Sequence, residues 1–347
     1  EDYTQNDTVG KAGLEQYYET YLRGKNGERK FYIDNVGRIS EIISSTDSVA
    51  GDDLYLSIDA DLQMATYLAL QNEIAAIVYS NIKSGEIPIN DVYTALIGNS
   101  VINTEHFSKS KASDTEKSVL SVFKSRQKTT LGKIKQELTS SPEALNTMSD
   151  EVLDEFTYII SMLKDDQVLL KNEIDTSDSV YQKWKDQKIS PKEYLNYCIT
   201  QHWIDISQLN VDEKYADSTE VYDALCKYIL KNIKTDTEFS KIIYQYMITR
   251  GEISPRQLCL ILFDQGVLDY DDATVNKLKN GSLSPRDFLM KKIYNIEITP
   301  AQLALEPCIG SCVVTDEKTG EIRAMVSYPG YDSNKLANGV DSEYFAS

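Results

Sequence analysis

Four segments of the chain share one formula: KISPKEYL (188–195), EISPRQLC (252–259), SLSPRDFL (282–289) and EITPAQLA (297–304). An apolar residue precedes Ser or Thr. Pro follows, then any residue, then Glu, Gln or Asp, then a second apolar residue. A Ser or Thr hydroxyl can accept a free N–H of a helix's first turn, and Pro at the first helical position gives up an N–H that has no intrahelical partner. Ser190, Ser254, Ser284 and Thr299 are therefore expected to be N-caps. Glu193, Gln257 and Gln302 are expected to close capping boxes, with Asp287 a weaker version. Ile189/Tyr194, Ile253/Leu258, Leu283/Phe288 and Ile298/Leu303 are expected as hydrophobic staples.

The anchors Ile253, Leu268, Leu283 and Ile298 are each fifteen residues apart. Asp269 with Asp272 is the expected cap after Leu268. Ile189 and Ile204 repeat the spacing, with Asp205 and Gln208 as the box, and Ile87 and Ile102 repeat it with a weaker cap. The unit is a helix of about ten residues plus a loop of about five, used in hairpin pairs. The gaps between groups differ, so a regular solenoid is not expected. Residues 83–304 thus read as a large all-α block of short capped helices. SKSKASDTEKS (108–118) and LTSSPEALNTMSD (138–150) are its best linker candidates. Tyr-bearing stripes such as KIIYQYMI (241–248) read as core with a wet hydroxyl edge, with a partner-binding face as the alternative.

The flanks read differently. In GKAGLEQYYETYLRG (10–24), Leu14, Tyr17, Tyr18, Tyr21 and Leu22 form one helical stripe, and Gly24 can stop the helix. RKFYIDNVGRI (29–39) and LYLSI (54–58) have strand character. A long helix over 59–82 is capped by Asp59 or Asp61. CVVT, DEKTG and EIRAMVS, within 312–327, read as strand, turn and strand, with Gly320 supplying the positive φ of the turn. The expected fold is α+β and mostly helical, with a small β-containing part at the two ends of the chain.

A length of 347 residues leaves room for about two to three domains. The net charge of −18 argues against nucleic acid or anionic lipid as partner. Five cysteines form no Cys-x-x-Cys pair, and four of them read as core thiols. No window approaches the roughly 18 apolar residues of a membrane span. Glu1 opens a polar stretch without signal-peptide character, so a piece of a longer chain is expected.

GKAGLEQYYETYLRGKNG (10–27) resembles the Gly-x-x-Gly-Leu-Glu segment of class B penicillin-binding proteins, which closes their pedestal, or dimerisation, domain. LYLSIDADLQMATYLAL (54–70) resembles the strand-to-helix junction that opens their transpeptidase domain, with Ser57 where Thr is usual. GSCVVTDEKTGEIRAMVSYPGYDSN (310–334) resembles that domain's first hairpin. The resemblance implies a pedestal portion over 1–53 and the start of a transpeptidase domain over 54–82 and 305–347, interrupted by the 83–304 insertion. Its signature residues here are Gly10, Gly13, Leu14, Glu15, Asp59, Leu62, Gln63, Asp316, Gly320, Glu321 and Pro329. All read as structural: Gly10 and Gly13 for close backbone approach, Glu15 at a helix start with Arg23 or Arg38 as partner, Asp59 as a cap.

The same family carries its chemistry on Ser-x-x-Lys, Ser-x-Asn and a late Lys-Thr-Gly. Lys318-Thr319-Gly320 sits at a hairpin tip instead. Ser-x-x-Lys occurs at Ser80/Lys83, Ser108/Lys111, Ser121/Lys124, Ser125/Lys128 and Ser161/Lys164, each upstream of the hairpin, and Ser-x-Asn does not occur. His106 and His202 read as structural, and DYDD (269–272) as a cap rather than a calcium loop. No catalytic residue, cofactor or metal is expected. The resemblance implies a membrane-anchored parent at the extracytoplasmic face of a bacterial membrane, a serine D,D-transpeptidase that would use peptidoglycan precursors and be blocked by β-lactams. The alternatives are a helical module docking cell-wall assembly or division proteins, and a hydrolase built on a serine such as Ser161.

Overall fold

The structure, a computed structural model, describes residues 3, 8–140, 143–209, 211, 217–331 and 335. It divides into two compact units, residues 1–70 with 311–347 and residues 71–310. Part of the linker candidate 138–150, the DSN of 332–334 and all of 336–347 lie outside the described residues.

In the first unit, α1 (Gly13–Tyr17) and α2 (Glu19–Leu22) replace the single expected helix. The chain breaks at Tyr18 (φ −102°, ψ 15°), and Tyr17 and Tyr21 of the expected stripe are exposed. With Leu14 exposed too and only Tyr18 and Leu22 half-buried, the stripe gives a short helix little packing to hold it straight. β1 (Glu28–Ile33) and β2 (Ile39–Thr46) pair antiparallel. The expected strand over 29–39 is therefore one strand plus a turn, in which Asp34 Oδ1 accepts from the Val36 and Arg38 N–H groups. The LYLSI segment is not a strand: it has no ladder. α3 (Ala60–Ser84) follows, capped by Asp59, and β3 (Gly310–Thr315) pairs with β4 (Ile322–Tyr328).

The second unit is helical. After α3 come α4 (Ile89–Gly98), α5 (Asp114–Thr139), α6 (Asp150–Asp165), α7 (Ser179–Lys185) and α8 (Pro191–Thr200). Then follow α9 (Ser218–Ile233), α10 (Thr237–Thr249), α11 (Pro255–Asp264), α12 (Asp272–Asn280), α13 (Pro285–Tyr294) and α14 (Pro300–Leu303). They share one apolar core. Ser254/Gln257 and Thr299/Gln302 form reciprocal boxes. Ser190 and Ser284 cap as expected, but neither Glu193 nor Asp287 accepts the cap residue's backbone N–H; Asp287 Oδ2 accepts from the Ser284 hydroxyl at 2.7 Å instead. Glu193 stays in solvent, and Asp287 is one methylene shorter than Glu. Asp271 caps α12, not Asp269 or Asp272, and Asp205 caps only a single 3₁₀ turn. The linker candidate 108–118 runs into a helix instead: Ser113 and Glu116 form a capping box that starts the 26-residue α5. Three cysteines, not four, are core thiols: Cys198, Cys226 and Cys259. In the 241–248 stripe Tyr244 is buried and Tyr246 donates to Asp154, so these rings serve the core.

The fifteen-residue spacing has a backbone cause. Besides Gly24 and Ala304, nine described residues that follow helix ends have left-handed φ: Gly85, Ser100, Gln167, Gln187, His202, Gly251, Gly266, Gly281 and Ile296. Two residues after each of these nine stands an apolar anchor: Ile87, Ile102, Leu169, Ile189, Ile204, Ile253, Leu268, Leu283 and Ile298. The N–H of Ile102, Leu169, Leu268 and Ile298 returns to the carbonyl six residues back. The left-handed residue thus closes the helix, and the anchor drops into the core.

One charged cluster is buried. Arg126 Nη2 lies 2.7 and 2.8 Å from the two carboxylate oxygens of Glu151, which also meets Arg250 at 2.6 Å. Burial alone would lower the Arg126 pKa, but the Glu151 bonds and the Glu252 and Glu155 charges hold it above its ordinary value. Glu155, one turn on from Glu151 and 2% exposed, forms no hydrogen bond or ion pair among the described residues. Burial, then Glu151 beside it, pushes Glu155 up to about 8, against the pull of Lys133, Arg126 and Arg250.

Two measurements follow from these features. Gln167→Gly relieves a left-handed residue whose side chain is exposed and should raise stability by about 0.5–1 kcal/mol, whereas Gly266→Ala should lower it by about 1 kcal/mol, both read from denaturant midpoints. Glu155 holds a proton in the folded state that it has released in the unfolded chain between pH about 4.5 and about 8. Stability should therefore fall as pH rises through that window. Glu155→Gln should flatten the slope and stabilise the protein at pH 8 by on the order of 3 kcal/mol.

Candidate functional site

The residues expected to matter converge in the first unit, where the start of α3 meets β4. Asp59 Oδ1 accepts from the Leu62 N–H, so this residue caps α3. Its own N–H donates to the Arg323 carbonyl at 2.8 Å. Ser57 Oγ donates to the Ile322 carbonyl at 2.7 Å, and the Met325 N–H donates to Gln63 Oε1 at 2.8 Å. Segments about 265 residues apart in sequence are thus joined by three hydrogen bonds. The Arg323 guanidinium stands 3.7 Å from Asp59 and 3.9 Å from Glu321, with side chains about half exposed.

β4 buries every second residue: Ala324, Val326 and Tyr328. The Tyr328 ring lies 5.8 Å from that of Tyr67 on α3. Gly330 faces Tyr67, where a Cβ would come within 3.2 Å of the ring. Gln63, Met64, Tyr67, Met325 and Tyr331 line a largely apolar groove of about 600 Å³.

The hairpin tip is held by Asp316. Its Oδ1 accepts from the Lys318 and Thr319 N–H groups, which holds its carboxyl below the usual range. Gly320 has φ +75° and its N–H returns to the Asp316 carbonyl. Lys318-Thr319-Gly320 is a turn. Pro329 follows β4 through a cis peptide bond.

Gly10, Gly13, Leu14 and Glu15 form a separate group around α1. A Cβ on Gly10 would sit 2.4 Å from the Glu15 carbonyl, so this position demands glycine. Gly13 has open space and serves through its φ of +59° instead. Glu15 pairs with neither Arg23 nor Arg38. The carboxylate that ties this segment is Glu19, which accepts from the Gly10 N–H and the Tyr3 hydroxyl. Sequence reasoning missed Glu19, Tyr67 and the linking role of Ser57 and Gln63. The period-two burial of β4 could have pointed to Tyr328; the other partners carry no local signal.

Ser161 and Lys164 line a groove of about 320 Å³ with Trp184 and Lys185. No hydrogen bond joins them, and Ser161 lies inside α6, where backbone N–H groups are spent on the helix and none can serve an oxyanion. His106 is structural: Nδ1 lies 2.7 Å from Glu116. Burial alone would raise Glu116, but bonds from Gln265, the Ser113 N–H and His106 hold it below its ordinary value. Among the described residues no cluster of metal-ligating side chains occurs, and no helix is long and apolar enough to cross a membrane.

Residues 1–56 match the penicillin-binding protein dimerisation domain. The chain is 35% identical over 118 residues to the peptidoglycan D,D-transpeptidase FtsI of Escherichia coli K12, covering 34% of this chain and 19% of that protein. It is 32% identical over 87 residues to the peptidoglycan D,D-transpeptidase MrdA of Salmonella typhimurium LT2, covering 25% and 14%. It is 38% identical over 84 residues to penicillin-binding protein 3 of Bacillus subtilis 168, covering 24% and 12%. The chain thus spans under a fifth of the length of these curated relatives, and over that part it is similar to class B penicillin-binding proteins. No solved structure matches it.

If the three hydrogen bonds seat β4 on α3, removing one should loosen that strand locally. Gln63→Ala should speed hydrogen exchange at the Met325 amide by about tenfold or more and leave the amides of α9 unchanged.

Proposed function

We propose that this chain is a non-catalytic scaffold portion of a class B penicillin-binding protein that takes part in peptidoglycan cross-linking. Residues 1–53 form the end of the pedestal, residues 54–82 and 305–347 the start of the transpeptidase domain, and residues 83–304 an insertion between them. The whole protein is a serine D,D-transpeptidase, membrane-anchored at the extracytoplasmic face, that acts on peptidoglycan precursors and is acylated by β-lactams. The observation that carries this reading is the junction. Two segments that resemble consecutive family signatures, 265 positions apart, meet through Ser57, Asp59 and Gln63. Their meeting in one hydrogen-bonded register supports the reading.

The roles divide accordingly. Asp59 starts the helix, Asp316 and Gly320 turn the hairpin, and Gln63 seats it, so each acts on geometry rather than on a reacting group. Depleting the gene product in its own cell should lower the cross-linked fraction of muropeptides; unchanged cross-linking would sink the proposal. Fluorescent penicillin should leave the 347-residue chain unlabelled. A covalent adduct mapped to Ser161 would overturn the scaffold reading.

A further inference from the structure

One groove in the helical unit inverts the charge of the molecule. It lies between the second half of α3 and α13 and encloses about 470 Å³, within the size range of small-ligand sites. Lys83, Arg286 and Lys291 line it against one carboxylate, Asp287. Three cations and one anion leave a local charge of +2 in a chain of net −18. Neither Lys83 nor Lys291 has an ion-pair or side-chain hydrogen-bond partner among the described residues, and both are exposed. The Arg286 guanidinium donates to the Ile82 carbonyl at 3.2 Å, which fixes its position and uses one of its five donors.

The rest of the wall is aromatic and apolar. Tyr79 and Tyr294 stand with ring centroids 5.1 Å apart, and Tyr294 is 58% exposed. Met290 is buried. An exposed aromatic face beside an apolar floor suits the C–H face of a flat ring rather than a hydrated ion. Asp287 selects further. A carboxylate at this position repels an acidic peptide; its Oδ2 already accepts from the Ser284 hydroxyl, and Oδ1 can accept a further hydroxyl, while the guanidinium fork and the two ammonium groups match a carboxylate.

We infer that this groove is a binding site for a carboxylate-bearing saccharide. The carboxylate meets Arg286, Lys83 and Lys291, ring hydroxyls meet Asp287, and the sugar face rests on Tyr294. The site lies wholly within the helical unit and needs neither a catalytic serine nor the junction described above. Because its lysines are exposed, each ion pair contributes little, and a monosaccharide should bind with a dissociation constant on the order of millimolar, weakened by salt.

The test uses the full chain labelled at methionine methyl groups, with Met290 assigned by Met290→Leu, and three probes. N-acetylmuramic acid and N-acetylglucosamine differ by a carboxylate-bearing lactyl group, and tetraglutamate carries carboxylates without a sugar. The Met290 resonance should move saturably with N-acetylmuramic acid, and N-acetylglucosamine should bind at least about tenfold more weakly. The Lys83→Gln/Lys291→Gln double variant removes exposed, unpartnered charges and should keep the fold. It should weaken N-acetylmuramic acid about tenfold and leave N-acetylglucosamine unchanged. Tyr294→Ala should weaken both sugars. Equal response to the two sugars, tighter binding of tetraglutamate, or no Met290 shift with any probe would each overturn the inference. None of these outcomes bears on penicillin labelling or muropeptide cross-linking, so the two readings fail separately.

Discussion

Three hydrogen bonds between residues 57–63 and 322–325 impose the main constraint on this chain, because they close a loop of about 260 residues. Closing a flexible loop costs roughly 0.6 kcal/mol more for each doubling of length, so about 260 residues cost on the order of 2.5 kcal/mol more than about 15. Three partly exposed hydrogen bonds contribute about that much in total. The junction survives because the intervening chain is not a flexible loop. Within the helical unit the first and last elements already meet: Arg286 of α13 bonds the Ile82 carbonyl of α3, Asn99 after α4 bonds the Leu303 carbonyl of α14, and Tyr79 packs on Tyr294. The helical unit's own core brings its ends together, and the residual closure cost falls to that of a short connection.

That core depends in turn on how its helices stop. A helix that ends in a left-handed residue reverses direction within two residues and places the next apolar side chain against its own last turn. Repeated at nine ends, this device packs short helices without a regular repeat, since each reversal is local and the lengths between reversals are free. α5, at 26 residues, and the ten-residue α11 and α13 share one core on those terms.

The same device explains what could be read from sequence. Ser-Pro and Thr-Pro starts are local chemistry, so Ser190, Ser254, Ser284 and Thr299 were legible as caps, as were the anchors at fifteen-residue spacing. Five of the nine stops are Ser100, Gln167, Gln187, His202 and Ile296, residues that pay the left-handed penalty and carry no turn signal. Asp271 outcompeted Asp269 and Asp272 because cap choice depends on where the preceding loop releases the chain. In the candidate site the Asp316–Gly320 turn was legible, since its bonds span four residues. Ser57 and Gln63 were not, because their partners are more than 260 positions away. The alternation in LYLSI suggested a strand, but only tertiary pairing decides whether an extended segment finds a ladder.

Acidity here is partly architectural. Asp178, Asp217, Asp236 and Asp271 each accept backbone N–H groups at a helix start, where carboxylates also meet the positive end of the helix dipole. Backbone donors and the Tyr197 hydroxyl hold Asp178 below its ordinary range; the Thr274 hydroxyl and then backbone donors do so for Asp271. A carboxyl lowered in the folded state lends stability above its unfolded pKa and loses it as pH falls through the folded one. Glu155 works in the opposite direction, costing stability as pH rises toward about 8. Caps and buried cluster therefore bound the stable range from opposite sides. Negative charge placed at helix starts supports the fold, and Glu155, buried without an ion pair among the described residues, limits it.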